Sequence, residues 1–297
     1  MKLSIIILSY NTKALLEKTI NSIFKQKSDL SFQVCVVDNA SSDGSAEMIV
    51  KKFPQVRLLE NSRNLGFSGG VNTALEKIKA DYYLLLNSDV EVKEDAIDKL
   101  VAFAAEGNYG ISGCKLINKD GSFQPNAGDL PVGLPLFVWL SGLDDVLIMV
   151  RNFLPSFHRK FKNYYKDGSE VGWISGTAML ITKEVIDKIG MLDENIFMYG
   201  EDTEYCLRAK RSGFKIGWTD RSTIMHIGGA SSSNPRFNQW VGEFRGLLYI
   251  YGKYFGALNK MLLKLTLLLF TLLRMIAFFA IGKGEIAKTY GKVLVSL

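Results

Sequence analysis

The sequence predicts an α/β fold in which a mixed, mostly parallel sheet is flanked by helices. Three observations predict it: short continuous apolar runs rich in β-branched residues, stretches of helical spacing between those runs, and polar loops where the runs end. Strands that alternate with helices pair in parallel and carry helices on both faces of the sheet. The 297 residues, 47% of them hydrophobic, are enough for a large core.

The first 110 residues contain the clearest alternation. Buried apolar runs predict strands at residues 3–8, 32–37, 56–60 and 82–86, and helical spacing predicts helices at residues 13–25, 46–53 and 69–78. Sheets of this kind bind ligands in the loops beyond the carboxyl ends of their strands. Those loops are residues 9–12, 38–45, 61–69 and 87–89, and each is rich in Asn, Asp, Ser or Gly.

The pattern loosens at residues 118–169, where four prolines and several glycines surround an apolar patch, so we expect an irregular insertion or lid there. Regularity returns at residues 171–181, and helices follow at residues 182–189 and 201–212. The second helix is acidic in its first turn, as the helix dipole favours. We expect residues 1–250 to form one domain and residues 251–297 a helical tail.

The charge distribution favours a membrane over nucleic acid as partner. The whole net charge of +6 lies in residues 251–297, where seven Lys and Arg residues accompany many leucines and Glu285 is the one acid. A neutral body with a basic, leucine-rich tail indicates an anionic lipid surface, and nucleic-acid binding is disfavoured. Residues 265–282 within the tail are apolar except for Thr266, Thr271 and Arg274.

Three arrangements of this tail stay open. A helix over residues 258–282 is long enough to span a membrane, but a central Arg274 costs about 2.5 to 3.5 kcal/mol there. In helical projection Lys253, Lys260, Lys264 and Arg274 fall on one narrow face, which favours a helix that lies in the membrane interface. The third arrangement is a helical pair packed on the protein itself or on a second subunit of a homodimer.

Other classes of protein do not fit. Three distant cysteines with no CxxC pair indicate neither a disulfide framework nor a zinc site, and a reducing compartment suits them. The apolar run at residues 3–8 is too short for a signal peptide, and no small-residue cleavage site follows it.

Several polar clusters fall on the expected loops. Asp38 ends a hydrophobic strand and precedes an Asp-Gly turn, for which strand-end capping is the alternative reading. An EF-hand is excluded there because Val50 stands where its bidentate Glu belongs. Residues 64–72 carry glycines at a helix start suited to phosphate, but they form neither GxGxxG nor a P-loop.

Acidic residues at two further places suit catalysis. Asp89 follows a buried strand, and a divalent cation prefers such an oxygen ligand. Residues 198–204 place three carboxylates at a helix start, which suits a general base as well as helix capping. His226 is one of two histidines, and its value depends on whether it meets Asp89.

In combination, six segments resemble family 2 inverting glycosyltransferases, in particular their rhamnosyltransferase-like branch. In order along residues 3–250 they are DNxSxDGS, NxGFxGGxN, LLNSDV, WxSGTxMLI, FMYGEDxEYCxR and HxGGxS. Each segment is modest alone, and the six in order are specific.

The resemblance implies a GT-A fold, a nucleotide-diphosphate sugar donor and a divalent cation, Mg²⁺ or Mn²⁺. It makes Asp202 the catalytic base with Glu201 beside it, and Asp89 and His226 the metal ligands. The position two before Asp89 is Asn87, a poor metal ligand that could still bind the ribose. The residues that the resemblance places on the donor nucleotide are Ser9, Tyr10, Asn11, Asp38, Asn39, Asn64, Gly66, Asn87 and Ser88. Those it places at the donor sugar and acceptor are Trp173, Ser175 and Gly176.

The implied function is transfer of a sugar, from dTDP-rhamnose or a UDP-hexose, to a saccharide or a polyprenyl-diphosphate-linked acceptor in surface polysaccharide synthesis. Such an enzyme would work at the cytoplasmic face of the cell membrane. Two alternatives remain. A sugar-1-phosphate nucleotidyltransferase should carry a Gly-rich basic loop after its first strand, and residues 9–12 have neither feature. A non-catalytic nucleotide-sugar-binding scaffold predicts binding without turnover.

Overall fold

The computed structural model describes residues 2–147, 154–228 and 235–297. The helices and strands of the first half follow in this order: β1 (Leu3–Ser9), α1 (Lys13–Phe24), β2 (Phe32–Asp38), α2 (Ser45–Lys52), β3 (Arg57–Glu60), α3 (Gly66–Leu75), β4 (Tyr82–Asn87), β5 (Val90–Val92), α4 (Ala96–Glu106) and β6 (Ile111–Ile117). Each predicted strand and helix of this half is present, and no end is shifted by more than three residues. The α/β prediction is confirmed.

Four parallel strands, in the order β3-β2-β1-β4, build the half of the sheet that the sequence predicts from residues 3–86. In their register Ser9 lies beside Asp38, and Leu8 lies beside Asn87. The carboxyl ends of these strands therefore meet at one edge of the sheet, and the polar loops that follow them come together there.

The other half of the sheet is mixed, and it brings distant residues to the same edge. Strand β11 (Ala178–Thr182) runs antiparallel to β4 and β6, and β12 (Ile216–His226) runs parallel to β6 and antiparallel to β5. In the last of these pairings His226 is opposite Val90. His226 is thereby placed next to Asp89.

Apolar side chains cover both faces of the sheet. Along β1 the side chains of Leu3, Ile5 and Ile7 enter one cluster with helices α1, α2 and α4, while Ile6 enters a second cluster. The second cluster includes α3 and α8 (Glu201–Arg211). The three cysteines, Cys35, Cys114 and Cys206, are free and buried in these clusters, and burial raises the pKa of each thiol.

Residues 118–169 are more regular than the sequence indicates. They contain β7 (Phe123–Gln124), β8 (Ala127–Gly128), α5 (Leu134–Ser141), α6 (Leu143–Val146) and a 3₁₀ turn at Lys162–Tyr164. The prolines predicted an irregular segment, but Pro135 lies in the first turn of α5, where a helix has no hydrogen bond for the missing N–H to make. Strand β8 pairs with β10 (Trp173–Ile174), a partner too distant in sequence for local patterns to reveal.

The remaining elements are β9 (Ser169–Glu170), α7 (Lys183–Ile189), α9 (Pro235–Tyr254), α10 (Gly256–Ala280) and α11 (Gly284–Ser296). The last three helices pack together, and the rings of Trp240, Tyr290 and Phe278, one from each, stack in nearly parallel planes. The predicted boundary at residue 250 falls inside α9, which packs on the body through Phe244 and Leu247. The division into two domains stays a prediction.

The helical projection of the tail treated Lys253 to Arg274 as one continuous helix, but the structure divides this segment between α9 and α10. The chain breaks at Gly256, where φ is +85°, so Lys253 belongs to α9 and pairs there with Asp193 and Glu204. Arg274 does not face outward, because its Nη2 donates to the Trp139 carbonyl at 2.8 Å. The side of α10 turned toward the protein carries Leu263, Leu267 and Thr271, and the opposite side is exposed and apolar.

Candidate active site

A cleft of about 620 Å³ opens at the carboxyl edge of the sheet. Most of the residues singled out from the sequence line it: Tyr10, Asn39, Asn64, Gly66, Asn87, Ser88, Asp89, Trp173, Ser175, Gly176, Glu201, Asp202 and His226. Ser9, Asn11 and Asp38 are not among the residues that line it. The structure therefore brings together residues that are far apart in the chain.

Ser9 and Asn11 shape the cleft wall and hold the loops that form it. Ser9 Oγ lies 3.2 Å from Thr12 Oγ1, which donates to Ser88 Oγ at 2.8 Å. Asn11 has a φ of +54°, and its Oδ1 accepts the Ser42 amide at 2.8 Å. These side chains bond to neighbouring loops in this structure, and their contact with a nucleotide stays a prediction.

Asp38 is buried near the cleft, and one of its carboxylate oxygens has no hydrogen-bond partner among the described residues. One carboxylate oxygen accepts the Ser41 amide at 2.8 Å, whereas Oδ2 is buried with no hydrogen-bond partner among the described residues. An unpaired buried acceptor is costly, so such an atom suits a donor brought by a ligand.

Asn39 joins three loops beside the cleft. Its Nδ2 donates to Asn64 Oδ1 at 3.0 Å and to the Gly66 carbonyl at 2.9 Å, and its Oδ1 accepts from Asn61 at 2.9 Å. The amides of Asn39 and Asn64 are thus largely engaged with the protein. Both line the cleft and hold its loops together in this structure, and their contact with the donor nucleotide stays a prediction.

Gly66 begins α3 in a conformation that other residues avoid. Its φ is +74°, and a Cβ there would lie 2.2 Å from the Phe197 carbonyl oxygen. That carbonyl accepts the Phe67 amide at 2.8 Å. The glycine therefore permits the close contact between α3 and the loop before α8, and this contact forms one wall of the cleft.

Asp89 and His226 meet as their pairing across the sheet predicts. Asp89 Oδ1 lies 3.3 Å from His226 Nε2, and Asp89 Oδ2 accepts the Gly228 amide at 3.1 Å. Burial raises the pKa of Asp89, but the hydrogen bond and charge of His226 outweigh it and hold the pKa below its usual value. Asn87 Nδ2 lies 3.3 Å from the same imidazole nitrogen.

This pair has the chemistry of part of a divalent cation site. His226 Nδ1 lies 2.9 Å from Gln124 Oε1, and if Nδ1 donates there Nε2 keeps a lone pair toward Asp89. Either a protonated His226 pairs with Asp89, or the two share a cation. In the described part of the chain no group of three or more His, Cys, Asp or Glu residues gathers around a common point. Asp89 and His226 fit a cation whose other ligands come from a bound diphosphate and water.

Glu201 and Asp202 open α8 on the floor of the cleft. Asp202 Oδ2 accepts the Gly176 amide at 3.2 Å, and Oδ1 accepts the Thr203 amide at 2.7 Å. Burial raises the pKa of Asp202 despite these bonds. Burial and the adjacent Asp202 raise the pKa of Glu201 to about 8, and its Oε2 is buried with no partner among the described residues.

The predicted sugar-binding residues form the wall beside Asp202. Gly176 presents its amide to Asp202, and a Cβ on it would lie 2.9 Å from the Phe67 ring. Ser175 Oγ bonds Thr177 Oγ1 at 2.9 Å. Trp173 is largely buried in the lining, and its Nε1 donates to the Phe157 carbonyl at 2.7 Å, which fixes the orientation of its ring.

Sequence reasoning missed a second charged pair in the cleft. His158 Nε2 bonds Glu243 Oε1, and both residues line the cleft. The two are 85 positions apart and belong to no recognised segment. The available signal was that the chain holds just two histidines, one of which was left unassigned.

We expect Glu201→Gln to stabilise the protein at neutral and alkaline pH. Between the ordinary pKa of 4.5 and about 8, the folded protein keeps a proton on Glu201 that the unfolded chain releases. The part of the free energy of unfolding that depends on protonation of Glu201 is therefore fully present below pH 4.5, and it is lost as the pH rises from 4.5 through about 8. The variant has no such loss, so its advantage in the free energy of unfolding should be near zero at the acid end and on the order of a few kcal/mol near pH 8.

Urea unfolding of both proteins near pH 5 and near pH 8 measures this difference. The exposed Glu60→Gln provides the control and should show no pH-dependent advantage. A variant that is less stable than the wild type near pH 8 would contradict the expectation.

The sheet order, the cleft at its carboxyl edge and the acidic pairs within it define a glycosyltransferase of the GT-A class. The sequence model of Glycosyl transferase family 2 matches residues 4–190. The chain belongs to this family, as its sequence segments predict, and sugar transfer in glycan synthesis is the activity of the class.

Similar characterised proteins include hexosyl- and rhamnosyltransferases. The low-salt glycan biosynthesis hexosyltransferase Agl10 of Haloferax volcanii is 28% identical over 219 residues, which span 72% of this chain and 64% of that protein. The N-acetylglucosaminyl-diphospho-decaprenol L-rhamnosyltransferase of Mycobacterium tuberculosis is 26% identical over 238 residues, 75% of each chain. The dTDP-rhamnosyl transferase RfbF of Shigella flexneri is 25% identical over 76% of this chain and 69% of that protein.

Solved structures share the fold. The mannosyltransferase PcManGT from Pyrobaculum calidifontis, in complex with GDP-Man and Mn²⁺, superposes with a TM-score of 0.59 at 15% identity, over 99% of this chain and 84% of that one. The S. aureus TarS fragment 1-349 in complex with UDP-GlcNAc gives 0.56 at 18% identity, over 91% and 71%. At these identities the likeness establishes the fold.

Proposed function

We propose that this glycosyltransferase inverts configuration at the anomeric carbon of a nucleotide-diphosphate sugar. The observation that carries the proposal is Asp202, a half-buried carboxylate held by the Gly176 and Thr203 amides at the floor of the cleft. Burial raises its pKa, which makes the carboxylate a stronger base. A base fixed by two backbone amides keeps one orientation toward an incoming hydroxyl.

In the proposed reaction Asp202 takes the proton of an acceptor hydroxyl while that oxygen attacks the anomeric carbon. The bond from this carbon to the diphosphate oxygen breaks as the new glycosidic bond forms, so the configuration inverts in one step. Glu201, whose pKa is raised to about 8, stays protonated beside Asp202 at neutral pH. A neutral Glu201 leaves the negative charge on Asp202, where the proton must be accepted.

Asp89 and His226 are proposed to hold Mg²⁺ or Mn²⁺ against the donor diphosphate. When bound, the cation stabilises the negative charge that develops on the departing diphosphate. Asn87 and Ser88 lie beside this site in the cleft lining, and we place the ribose there. The open Oδ2 of Asp38 is proposed to accept an N–H of the base, through movement of the lining that now covers it.

The donor is proposed to be dTDP-rhamnose or a UDP-hexose. Two of the similar proteins are named as rhamnosyltransferases, and one of them as using a dTDP donor. The acceptor is proposed to be a saccharide or a sugar linked to a lipid diphosphate, since the mycobacterial relative is named for such a substrate.

The tail is proposed to hold the enzyme at the cytoplasmic face of the membrane. Helix α10 is long and apolar enough to cross a membrane by length and composition. One side of it is turned toward the protein, however, and Arg274 on that helix bonds the Trp139 carbonyl. An arrangement in the plane of the interface uses the exposed side, with Lys260 and Lys264 near the lipid headgroups.

The two alternatives differ in what they predict for the cleft. A sugar-1-phosphate nucleotidyltransferase needs cationic groups after the first strand, and Ser9 and Thr12 there are neutral and bonded to each other. A scaffold would bind a nucleotide sugar without releasing the nucleotide. Turnover therefore separates the scaffold from the enzyme.

We expect one nucleotide sugar, from a panel of UDP-, GDP- and dTDP-sugars, to raise the melting temperature of the purified protein in the presence of Mn²⁺. Asp89→Asn should lose the part of this stabilisation that depends on Mn²⁺, and release of the nucleotide should fall at least tenfold. The exposed Asp81→Asn should behave as the wild type. Failure of every donor to stabilise the wild type would overturn the proposed function.

A further inference from the structure

The second charged pair of the cleft, His158 and Glu243, has no part in the mechanism above. Glu243 stands on α9, and His158 follows Phe157 in the segment before β9. The two are joined by a hydrogen bond between His158 Nε2 and Glu243 Oε1, and neither is fully exposed. Placing a carboxylate and an imidazole in a partly buried position costs desolvation energy, which their mutual hydrogen bond offsets only in part.

Aromatic packing fixes the orientation of His158. Its ring centroid lies 5.0 Å from that of Trp139, 4.5 Å from that of Phe157 and 5.1 Å from that of Trp173. Phe244, next to Glu243, packs on the same Trp139 ring at 6.1 Å. Both members of the pair are therefore held by a preformed aromatic wall, and their remaining exposed atoms face the cleft.

The pair also lies within electrostatic reach of Asp202. The charge of Glu243 raises the pKa of Asp202, and that of His158 lowers it. On α8 itself the charge of Asp202 raises the pKa of both Glu201 and Cys206. The pair thus lines the same cleft as the proposed base and acts on it electrostatically.

We propose that His158 and Glu243 form an acceptor subsite for a sugar ring, in which the pair binds one hydroxyl and thereby directs a neighbouring hydroxyl toward Asp202. This proposal rests on the proposed glycosyl transfer. A carboxylate accepts, and an imidazolium whose Nε2 already donates to Glu243 can donate through Nδ1, so together they match both hydrogen-bonding functions of a hydroxyl group. His158 and Glu243 are positioning residues, since Asp202 takes the proton.

The test uses the full-length protein, the donor found in the panel and n-octyl N-acetyl-β-glucosaminide as a lipid-linked sugar probe. We expect Glu243→Gln to raise the KM for the probe about 10- to 100-fold, because a charged hydrogen bond to the hydroxyl becomes a neutral one. The affinity for the donor nucleotide should stay within about twofold. His158→Phe keeps a ring in the aromatic wall and should raise the same KM.

The pH profile supplies a readout that a merely structural role would not change. Removing the negative charge of Glu243 should move the acid limb of kcat/KM to lower pH, and removing His158 should move it to higher pH. Glu17→Gln, which breaks the exposed pair with Lys52, is the matched control and should change neither quantity.

The outcomes separate this proposal from the proposed function. If the wild type transfers sugar and both variants keep its probe KM and pH profile, the subsite proposal is wrong and the proposed function stands. Calorimetric titration of the probe into the nucleotide-loaded protein serves as a second measurement. Probe binding that is weaker in Glu243→Gln supports the subsite, and no binding to the wild type overturns it. If no donor is turned over at all, the proposed function fails first.

Discussion

Asp202→Asn is expected to lower kcat by about 10² to 10⁴ while donor affinity stays within about twofold. The amide cannot accept the acceptor proton, but it preserves the shape of the side chain and the bonds that its remaining oxygen accepts. The Gly176 amide and the Thr203 amide currently hold the two carboxylate oxygens, so one of them will face an NH₂ group. The loss should therefore fall on the chemical step.

Nucleotide release under saturating donor, together with melting temperature in the presence of donor, measures the two effects separately. Asp220→Asn, an exposed substitution on β12, is the control. If Glu201→Gln proved the more damaging change, the base would be Glu201 and not Asp202. If Asp202→Asn retained more than a tenth of the wild-type kcat, Asp202 would not be the base.

The triple variant Leu265→Glu, Leu269→Glu, Leu273→Glu is expected to weaken binding to anionic vesicles at least 100-fold. The three leucines are 57%, 53% and 49% exposed, and they follow one another at helical spacing along α10. Each leucine taken out of water into lipid contributes about 1.5 to 3 kcal/mol. Three carboxylates on the same face add repulsion from the anionic headgroups.

Co-sedimentation with vesicles of phosphatidylglycerol and phosphatidylcholine measures this binding. The control introduces the same three charges at exposed neutral positions on α1, on α2 and after α2, as Asn21→Glu, Val50→Glu and Gln55→Glu, and should bind as the wild type does. Equal binding by both triple variants would contradict the membrane proposal. If the wild type proved to be a dimer and the α10 variant a monomer, the exposed face would instead be assigned to contact with a second copy of the chain.

The fold was accessible from sequence because its signals are local. Each strand of the parallel half is a continuous buried run such as Ile5 to Ile7, and each intervening helix carries its own apolar stripe. The start of α3 was placed three residues late because its first turn is Gly66-Phe67-Ser68, which has little helical periodicity. Helix α5 was missed because the prolines around it resemble loop residues.

The site was accessible where residues share a short segment or a sheet edge, and it was not accessible elsewhere. Asp89 and His226 are brought together by the pairing of β5 with β12, which the resemblance anticipated. The meeting of His158 with Glu243 depends on how α9 packs against the segment before β9, and no local pattern encodes that packing. The partner of Arg274 could not be predicted either, because it is the backbone carbonyl of Trp139 and every residue has such a carbonyl.

The three buried cysteines make the protein suitable for site-specific labelling. The thiolate is the form that reacts with maleimides, and burial raises the pKa of Cys35 to about 11 and that of Cys114 to about 12. Cys206 is fully buried with its pKa raised as well. A single cysteine introduced at an exposed position such as Leu269 should therefore react selectively in the otherwise unaltered chain, and a fluorophore there can report how deeply α10 enters a bilayer.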